Sequence, residues 1–173
     1  MTNSPSVAVL LAAYNGMEWI EEQVSSILSQ KSISIEIFIS VDLSNDKTHE
    51  WCQGLAGKNA HVKVLPYGEK FGGAAKNFFR LIRDVDFSCF DYVALSDQDD
   101  IWDSSKLHHA IRTIEQDSLD GYSSDVIAFW SNGREKLVKK SFPQKKFDYF
   151  FEAAGPGCTY VLKQQPTPKF KKF

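Results

Sequence analysis

Cysteine is scarce in this chain: Cys52, Cys89 and Cys158 are the only three among 173 residues. Their number is odd, their spacing is wide and no CxxC pair occurs. Neither a disulfide framework nor a cysteine zinc site is indicated, and a reducing cytoplasm fits best. Long apolar runs are missing too. The first, Val7 to Ala13, spans seven residues with no basic flank before it. That is too short for a bilayer span and wrong in build for a secretory leader. A net charge of -2 and a pI near 6.1 provide no basic field, so no nucleic-acid partner is expected. Glycine-rich phosphate loops are absent from the first strand-to-helix turn, Ala12-Ala13-Tyr14-Asn15-Gly16-Met17-Glu18-Trp19, which matches neither GxGxxG nor GxxxxGK[ST]. This disfavours P-loop and dinucleotide-binding proteins. No internal repeat is present. The length permits one sizeable core, so a single domain over residues 1–163 with a short tail over 164–173 is expected.

What the chain does have is an alternation of two periods. SVAVLLAA (6–13) is a continuous apolar run of the kind that forms a strand buried on both faces, and Tyr14-Asn15-Gly16 ends it with a turn. In MEWIEEQVSSILSQ (17–30), Ile20, Val24, Ile27 and Leu28 share one helical face, and Glu18, Glu21 and Glu22 sit in the first turns, where the helix dipole favours acids. IEIFISV (35–41) reads as the second strand. The helix after it, within 44–56, opens with the cap residues Ser44 and Asn45. A short strand at 61–66 follows. The helix predicted over 72–85 has an apolar pattern of Phe78, Phe79, Ile82 and Val85, and a strand is predicted over 91–96. A further helix near 103–117 and a strand at 125–131 complete the pattern. The β-α-β-α-β-α-β order predicts an α/β fold with a mostly parallel sheet and helices on both faces.

In open parallel sheets, ligands sit beyond the carboxyl ends of the strands. Tyr14-Asn15, Asp42 and Asp97-Gln98-Asp99-Asp100 all fall at such ends. Clustered carboxylates after an apolar strand repel one another unless a cation compensates, and two or three carboxylates completed by waters and phosphates are how Mg²⁺ or Mn²⁺ is held beside a nucleotide. The competing reading is that Asp100 and Asp103 simply cap the next helix. Spacing alone proves little: with thirteen aspartates in the chain, a second Asp-x-Asp, Asp84-Val85-Asp86, occurs at a helix end and reads as a solvated face. Lys76 and Asn77, which follow Gly72-Gly73 at a helix start, could meet a diphosphate. Trp102 is either a wall of a sugar pocket or core, with core slightly favoured.

VAVLLAAYNG, EEQVSSILSQ, IFISVDLSNDKT, FGGAAKNF, YVALSDQDDIW and GPGCTYVL, in this order, resemble family 2 glycosyltransferases of the GT-A fold, a Rossmann-like sandwich. The similarity is greatest to rhamnosyltransferase-like members that build bacterial surface polysaccharides, and it covers residues 6–163. It implies transfer of a sugar from a nucleotide-diphosphate donor, of dTDP-rhamnose or UDP-sugar type, to a saccharide or lipid-linked saccharide acceptor. Mapped onto this chain, it implies that Ala13, Tyr14 and Asn15 hold the base, with Tyr14 stacked on it. Asp42 would accept its N3-H, Gln98 would lie near the ribose, and Asp97 and Asp99 would form the metal-binding DxD element, with Asp99 touching the ion. Leu43 departs from the family pattern, which has a small residue there.

An inverting transfer needs a general base, ordinarily a carboxylate. In the resembling enzymes it lies well beyond the GCT segment, whereas here no acid follows Glu152. The acceptor half is therefore expected to be mostly absent and the base unassigned, with Asp148 and Glu152 the only late acids and each better read as a surface residue. Two readings stay open, a working transferase and a catalytically weak or silent nucleotide-sugar-binding domain. KKSFPQKKFDYFF (139–151) interleaves basic and aromatic residues as interfacial segments do, which allows peripheral contact with the inner face of the plasma membrane from the cytoplasm.

Overall fold

The computed structural model describes residues 4–143, 145–147, 150, 153 and 155–164. In chain order the elements are β1 (Ser6–Ala13), α1 (Ile20–Leu28), β2 (Ser34–Val41), α2 (Thr48–Ala56), β3 (Val62–Val64), α3 (Ala74–Asp84), β4 (Tyr92–Ser96), α4 (Lys106–Gln116), β5 (Gly121–Tyr122), β6 (Val126–Phe129), β7 (Glu135–Val138) and, after a 3-10 turn at Gly157–Thr159, β8 (Val161–Lys163). The two-residue period of a strand divides the apolar run of β1 between two cores. Val7, Val9, Leu11 and Ala13 pack with α1, α2 and α4 on one side of the sheet. Ala8, Leu10 and Ala12 pack on the other side with Leu81 of α3. A strand covered on both faces belongs at the centre, and the sheet order is β3-β2-β1-β4-β8-β5. Pairing is parallel from β3 to β4 and antiparallel where β8 inserts beside β4 and β5 beside β8.

Each predicted strand and helix through residue 117 forms, with shorter ends. The strand expected at 125–131 forms over β6, yet it pairs with β7 in a separate two-stranded sheet. The helix expected from Ser44 starts at Thr48, because Asp46 supplies the cap: its Oδ1 accepts from Thr48 N at 2.9 Å and from Thr48 Oγ1 at 2.5 Å. Ser44 turns instead to the first loop, its Oγ accepting from Asn15 N at 3.0 Å. On α1, Ile20, Val24 and Ile27 are buried, each contributing about 1.5–3 kcal/mol by area removed from water, whereas Leu28 is partly exposed.

The apolar face expected of α3 is a correction. Phe79 and Ile82 point to solvent, and the buried face carries Asn77, Arg80 and Leu81. The cause lies at the carboxyl ends of β1 and β2. Asn77 Nδ2 donates to Ser40 O at 2.9 Å and to Ala13 O at 3.3 Å, while Asn77 Oδ1 accepts from the Ser40 hydroxyl. Arg80 donates to Ser40 Oγ at 3.0 Å and to Pro66 O. Backbone carbonyls buried there need donors, and a leaving an acceptor unpaired costs about 1–3 kcal/mol. Asn77→Ala is therefore expected to destabilise the chain by about 2–3 kcal/mol, lowering the thermal midpoint by roughly 5–10 °C in a circular-dichroism melt. A midpoint within a degree of wild type would show that these carbonyls are satisfied without it.

Candidate functional site

The carboxyl ends of β1, β2 and β4 open into one cavity of about 430 Å³, walled also by the loop before α3. Ala12, Ala13 and Tyr14 line it from the β1 side, Asp42 and Leu43 from β2, Asp97, Gln98 and Asp99 from β4, and Lys70, Gly72, Gly73, Ala74 and Asn77 from the α3 side. Tyr14 presents its ring with 54% of its surface exposed, so an aromatic face is available to a flat ligand.

The loop that carries Tyr14 is held from β4. Gln98 Oε1 accepts from Tyr14 N at 2.7 Å, and Gln98 Nε2 donates to Tyr14 O at 2.8 Å. A Cβ on Gly16 would stand 2.3 Å from Gln98 Oε1, so this close approach requires glycine. Asn15, in the left-handed region at φ 45°, links the two loops: its Oδ1 accepts from Asn45 N at 2.9 Å.

Asp42 is buried, and its carboxylate organises the facing loop. Oδ1 accepts from Leu43 N and Phe71 N, both at 2.7 Å, and Oδ2 accepts from Gly72 N at 2.8 Å. Gly72 has a φ of 73°, a conformation that favours glycine. Burial pushes the Asp42 carboxyl up, but the backbone N–H groups of Phe71, Gly72, Leu43 and Gly73 outweigh it and hold the carboxyl below the ordinary value, so Asp42 is ionised at neutral pH.

Among the described residues, Asp97, Asp100 and Cys158 present ligand atoms within 4.8 Å of one another. Asp99 is exposed beside them. Burial, reinforced by the charges of Asp100 and Asp99, pushes the Asp97 carboxyl up to about 6. Asp100 is raised by burial in the same way, and its Oδ2 is buried with no hydrogen-bond partner. Cys158 is pushed up to about 12 by burial and the neighbouring acids, so it is a thiol and no ligand for a hard ion. Carboxylate oxygens, one without a partner, form a donor set of the kind that Mg²⁺ and Mn²⁺ take.

Lys106 sits behind this cluster. Its Nζ lies 3.1 Å from the centre of the Trp102 ring and donates to Cys158 O at 2.9 Å. Burial lowers its ammonium to about 7, with the negative charge of Asp100 pulling the other way. Trp102 is core, and its backbone N–H donates to Ser26 Oγ of α1 at 3.0 Å.

Of the residues singled out in the sequence, Ala13, Tyr14, Asp42, Asp97, Gln98 and Asp99 line the cavity. Asn15 and Lys76 are not among its lining residues. Asn15 is used between loops, and Lys76 is exposed on the first turn of α3, while the lysine that reaches the cavity is Lys70. The Gln98 amide is engaged by the Tyr14 backbone, which makes it a support of the loop. Asp148 and Glu152 lie outside the described residues. The sequence reading missed Lys70, Lys106 and Cys158. The pairing of a tryptophan with a lysine one helical turn on, Trp102 and Lys106, was the signal available for the second.

The model of the family described as Glycosyl transferase family 2 matches residues 8–160. The chain belongs to this family. It is 51% identical over 164 residues to the dTDP-rhamnosyl transferase RfbG of Shigella flexneri, covering 94% of this chain and 57% of that protein. It is 29% identical to the putative teichuronic acid biosynthesis glycosyltransferase TuaG of Bacillus subtilis, covering 85% and 54%. The chain thus spans little more than half the length of these family 2 relatives. Solved structures carry the same GT-A fold. Staphylococcus aureus TarS 1–349 superimposes with a TM-score of 0.65 at 19% identity over 91% of this chain and 47% of that one. The Pyrobaculum calidifontis mannosyltransferase PcManGT in complex with GDP-Man and Mn²⁺ gives 0.64 at 18% identity over 94% and 45%.

The acid loop from Asp97 to Asp100 has a measurable electrostatic consequence. Because the folded Asp97 carboxyl titrates near 6, above its ordinary range, folding favours its protonated form. The stabilisation is complete below about pH 4 and is lost as pH rises through about 6. Asp97→Asn removes that loss. In metal-free buffer the variant is expected to melt higher than wild type at pH 8, by roughly 1 kcal/mol after solvent screening, and equally at pH 4. Thermal melts at the two pH values with EDTA check this; an unchanged difference between them would exclude the repulsion.

Proposed function

We propose that this chain is the donor-binding part of a glycosyltransferase that moves a sugar from a nucleotide-diphosphate donor, dTDP-rhamnose or a UDP-sugar, to a saccharide or lipid-linked saccharide in surface polysaccharide or O-antigen synthesis. The observation that carries this reading is the meeting, in one cavity, of an exposed aromatic ring, an ionised buried carboxylate and an acid pair. The 51% identity to a protein named dTDP-rhamnosyl transferase supports dTDP-rhamnose as the donor.

On this reading Tyr14 stacks on the base, Ala13 lets the base lie close to β1, and Asp42 accepts an N–H from its edge at Oδ2, beside the Gly72 N–H. Gln98 holds the Tyr14 loop in register, and Lys70 offers a cation on the diphosphate side. Asp97 and Asp99 hold Mg²⁺ or Mn²⁺, with the orphaned Asp100 oxygen close by. The ion, when bound, neutralises charge that develops on the leaving diphosphate. Residues 1–163 act as one donor-binding unit.

A second reading, a domain that binds donor but transfers sugar weakly or not at all, is favoured by one observation. The acids among the cavity's lining residues are Asp42, Asp97 and Asp99, all given binding roles, so none is left over as the base.

Contact with the inner face of a membrane is part of the proposal. No helix among the described residues is long and apolar enough to cross one. Phe142 and Phe147 are exposed, with Lys139 Nζ 5.2 Å and Lys146 Nζ 5.3 Å from their ring centres, the amphipathic pairing suited to an anionic interface. Co-sedimentation with vesicles containing phosphatidylglycerol, and none with phosphatidylcholine alone, is the expected result; equal recovery on both would reject it.

The donor reading is tested by calorimetric titration with dTDP, UDP and GDP, with and without Mn²⁺. Binding of a pyrimidine nucleotide is expected to depend on Mn²⁺ and to weaken at least tenfold in Asp99→Ala. Absence of binding by any nucleotide would overturn it, and robust sugar transfer by the 173-residue chain would exclude the silent-domain reading.

A further inference from the structure

Asp42 cannot by itself distinguish one pyrimidine-2,4-dione from another. Both lone pairs of its Oδ1 are taken by the N–H groups of Leu43 and Phe71, and Oδ2 has given one to Gly72. The Gly73 N–H also faces this carboxylate, so what Asp42 offers a ligand is at most one shared acceptor position, enough for a single ring N–H. Thymine and uracil carry the same N3–H, whereas cytosine has an acceptor there and would be repelled by the carboxylate. Discrimination between thymine and uracil must come from the C5 methyl, the one group that differs on the base.

The cavity has two large apolar side chains exposed, Tyr14 and Leu43. The remaining apolar lining consists of alanines and glycines. If the Tyr14 ring takes the flat face of the base, Leu43 is the aliphatic wall left for its edge, and it adjoins the residue that fixes that edge. Leu43 keeps 46% of its surface exposed, so its side chain is spent on no core contact. Its backbone is held on both sides: its N–H is bonded to the Asp42 carboxylate, Ser44 Oγ donates to Asp42 O at 2.9 Å, and Ser44 N donates to Tyr67 Oη at 3.0 Å. A leucine exposed on a loop tied down at each end is an ordered apolar surface facing the ligand space.

We propose, building on the donor-site reading above, that Leu43 is a specificity-determining residue whose side chain receives the C5 methyl of thymine, so that the cavity selects deoxythymidine over deoxyuridine diphosphate. Covering one methyl with a half-exposed leucine corresponds to a preference of about three- to tenfold. The polar substitution that keeps the branching, Leu43→Asn, and the truncation, Leu43→Ala, both remove the apolar wall.

The experiment is calorimetric titration of the whole chain with dTDP, dUDP and dCDP at one fixed Mn²⁺ concentration, for wild type, Leu43→Ala and Leu43→Asn. Circular dichroism on each variant confirms the fold, which a half-exposed side chain should not disturb. dTDP and dUDP differ only in the methyl, so their ratio isolates it. A three- to tenfold preference for dTDP in wild type, falling to below twofold in both variants, is the expected result. Equal binding of dTDP and dUDP by wild type, or a preference that survives both substitutions, overturns the role of Leu43 and leaves the donor site standing. Failure of every nucleotide to bind wild type overturns the donor site and the role of Leu43 with it.

Discussion

Two hydrogen bonds between the Gln98 amide and the backbone of Tyr14 fix the end of β1 against the end of β4, and the rest of the cavity is built outward from that join. A parallel sheet leaves backbone groups unpaired where its strands stop, and in this chain side-chain amides close several of them. Gln98 serves β1 from the β4 side and the buried Asn77 serves β1 and β2 from α3, while on α1 the buried Gln23 amide lies 2.6 Å from the Ser96 side-chain hydroxyl at the end of β4. Amides suit this work because each carries both a donor and an acceptor and no charge to desolvate. The cavity is rigid at its base for this reason, and Gly16 is the steric condition of the join.

Charge is handled differently on the two sides of the cavity. On the β2 side Asp42 is neutralised locally by backbone N–H groups and stays ionised. On the β4 side Asp97 and Asp100 lie together with fewer donors, Asp100 being helped by the Cys158 thiol and by Lys106, which burial lowers to about 7 and which is held by the Trp102 ring and the Cys158 carbonyl. Lys106 therefore does two things at once: when charged it favours the Asp100 carboxylate, and it ties the start of α4 to the turn that precedes β8. The segment just after α1 supports the start of α4, with Gln30 Nε2 donating to Asp103 O at 2.6 Å and Gln30 Oε1 accepting from Leu107 N at 2.9 Å.

The α/β order was legible because a strand buried on both faces leaves a continuous apolar run, and Val7–Ala13 is such a run. The strand-end positions of Tyr14, Asp42 and Asp97 followed from that order alone. What failed were cases in which a local pattern was overruled by a tertiary demand. Phe79 and Ile82 look like a core face, yet the strand ends needed the polar face of Asn77 and Arg80 turned inward. Ser44 looks like a helix cap, yet it was required by the Asn15 loop. Lys76 stands out because it opens a helix, yet the lysine that lines the cavity is Lys70, in the loop before that helix. The contact of Lys106 with Cys158 joins residues 52 apart and has no periodic signature.

The split in how charge is held implies a split in how the two halves of the proposed donor site respond to conditions. A carboxylate fixed by backbone donors keeps its charge across the neutral range, so Asp42 stays ionised there. The Asp97 carboxyl, raised by burial to about 6, is protonated below that range in the metal-free chain, so the β4 side loses charge as pH falls while the β2 side does not. In the proposed site, therefore, a substitution at Leu43 acts on the β2 side without entering the field of the acids, and a change at Lys106 acts on the acid cluster without touching Asp42, because the central strand β1 stands between β2 and β4.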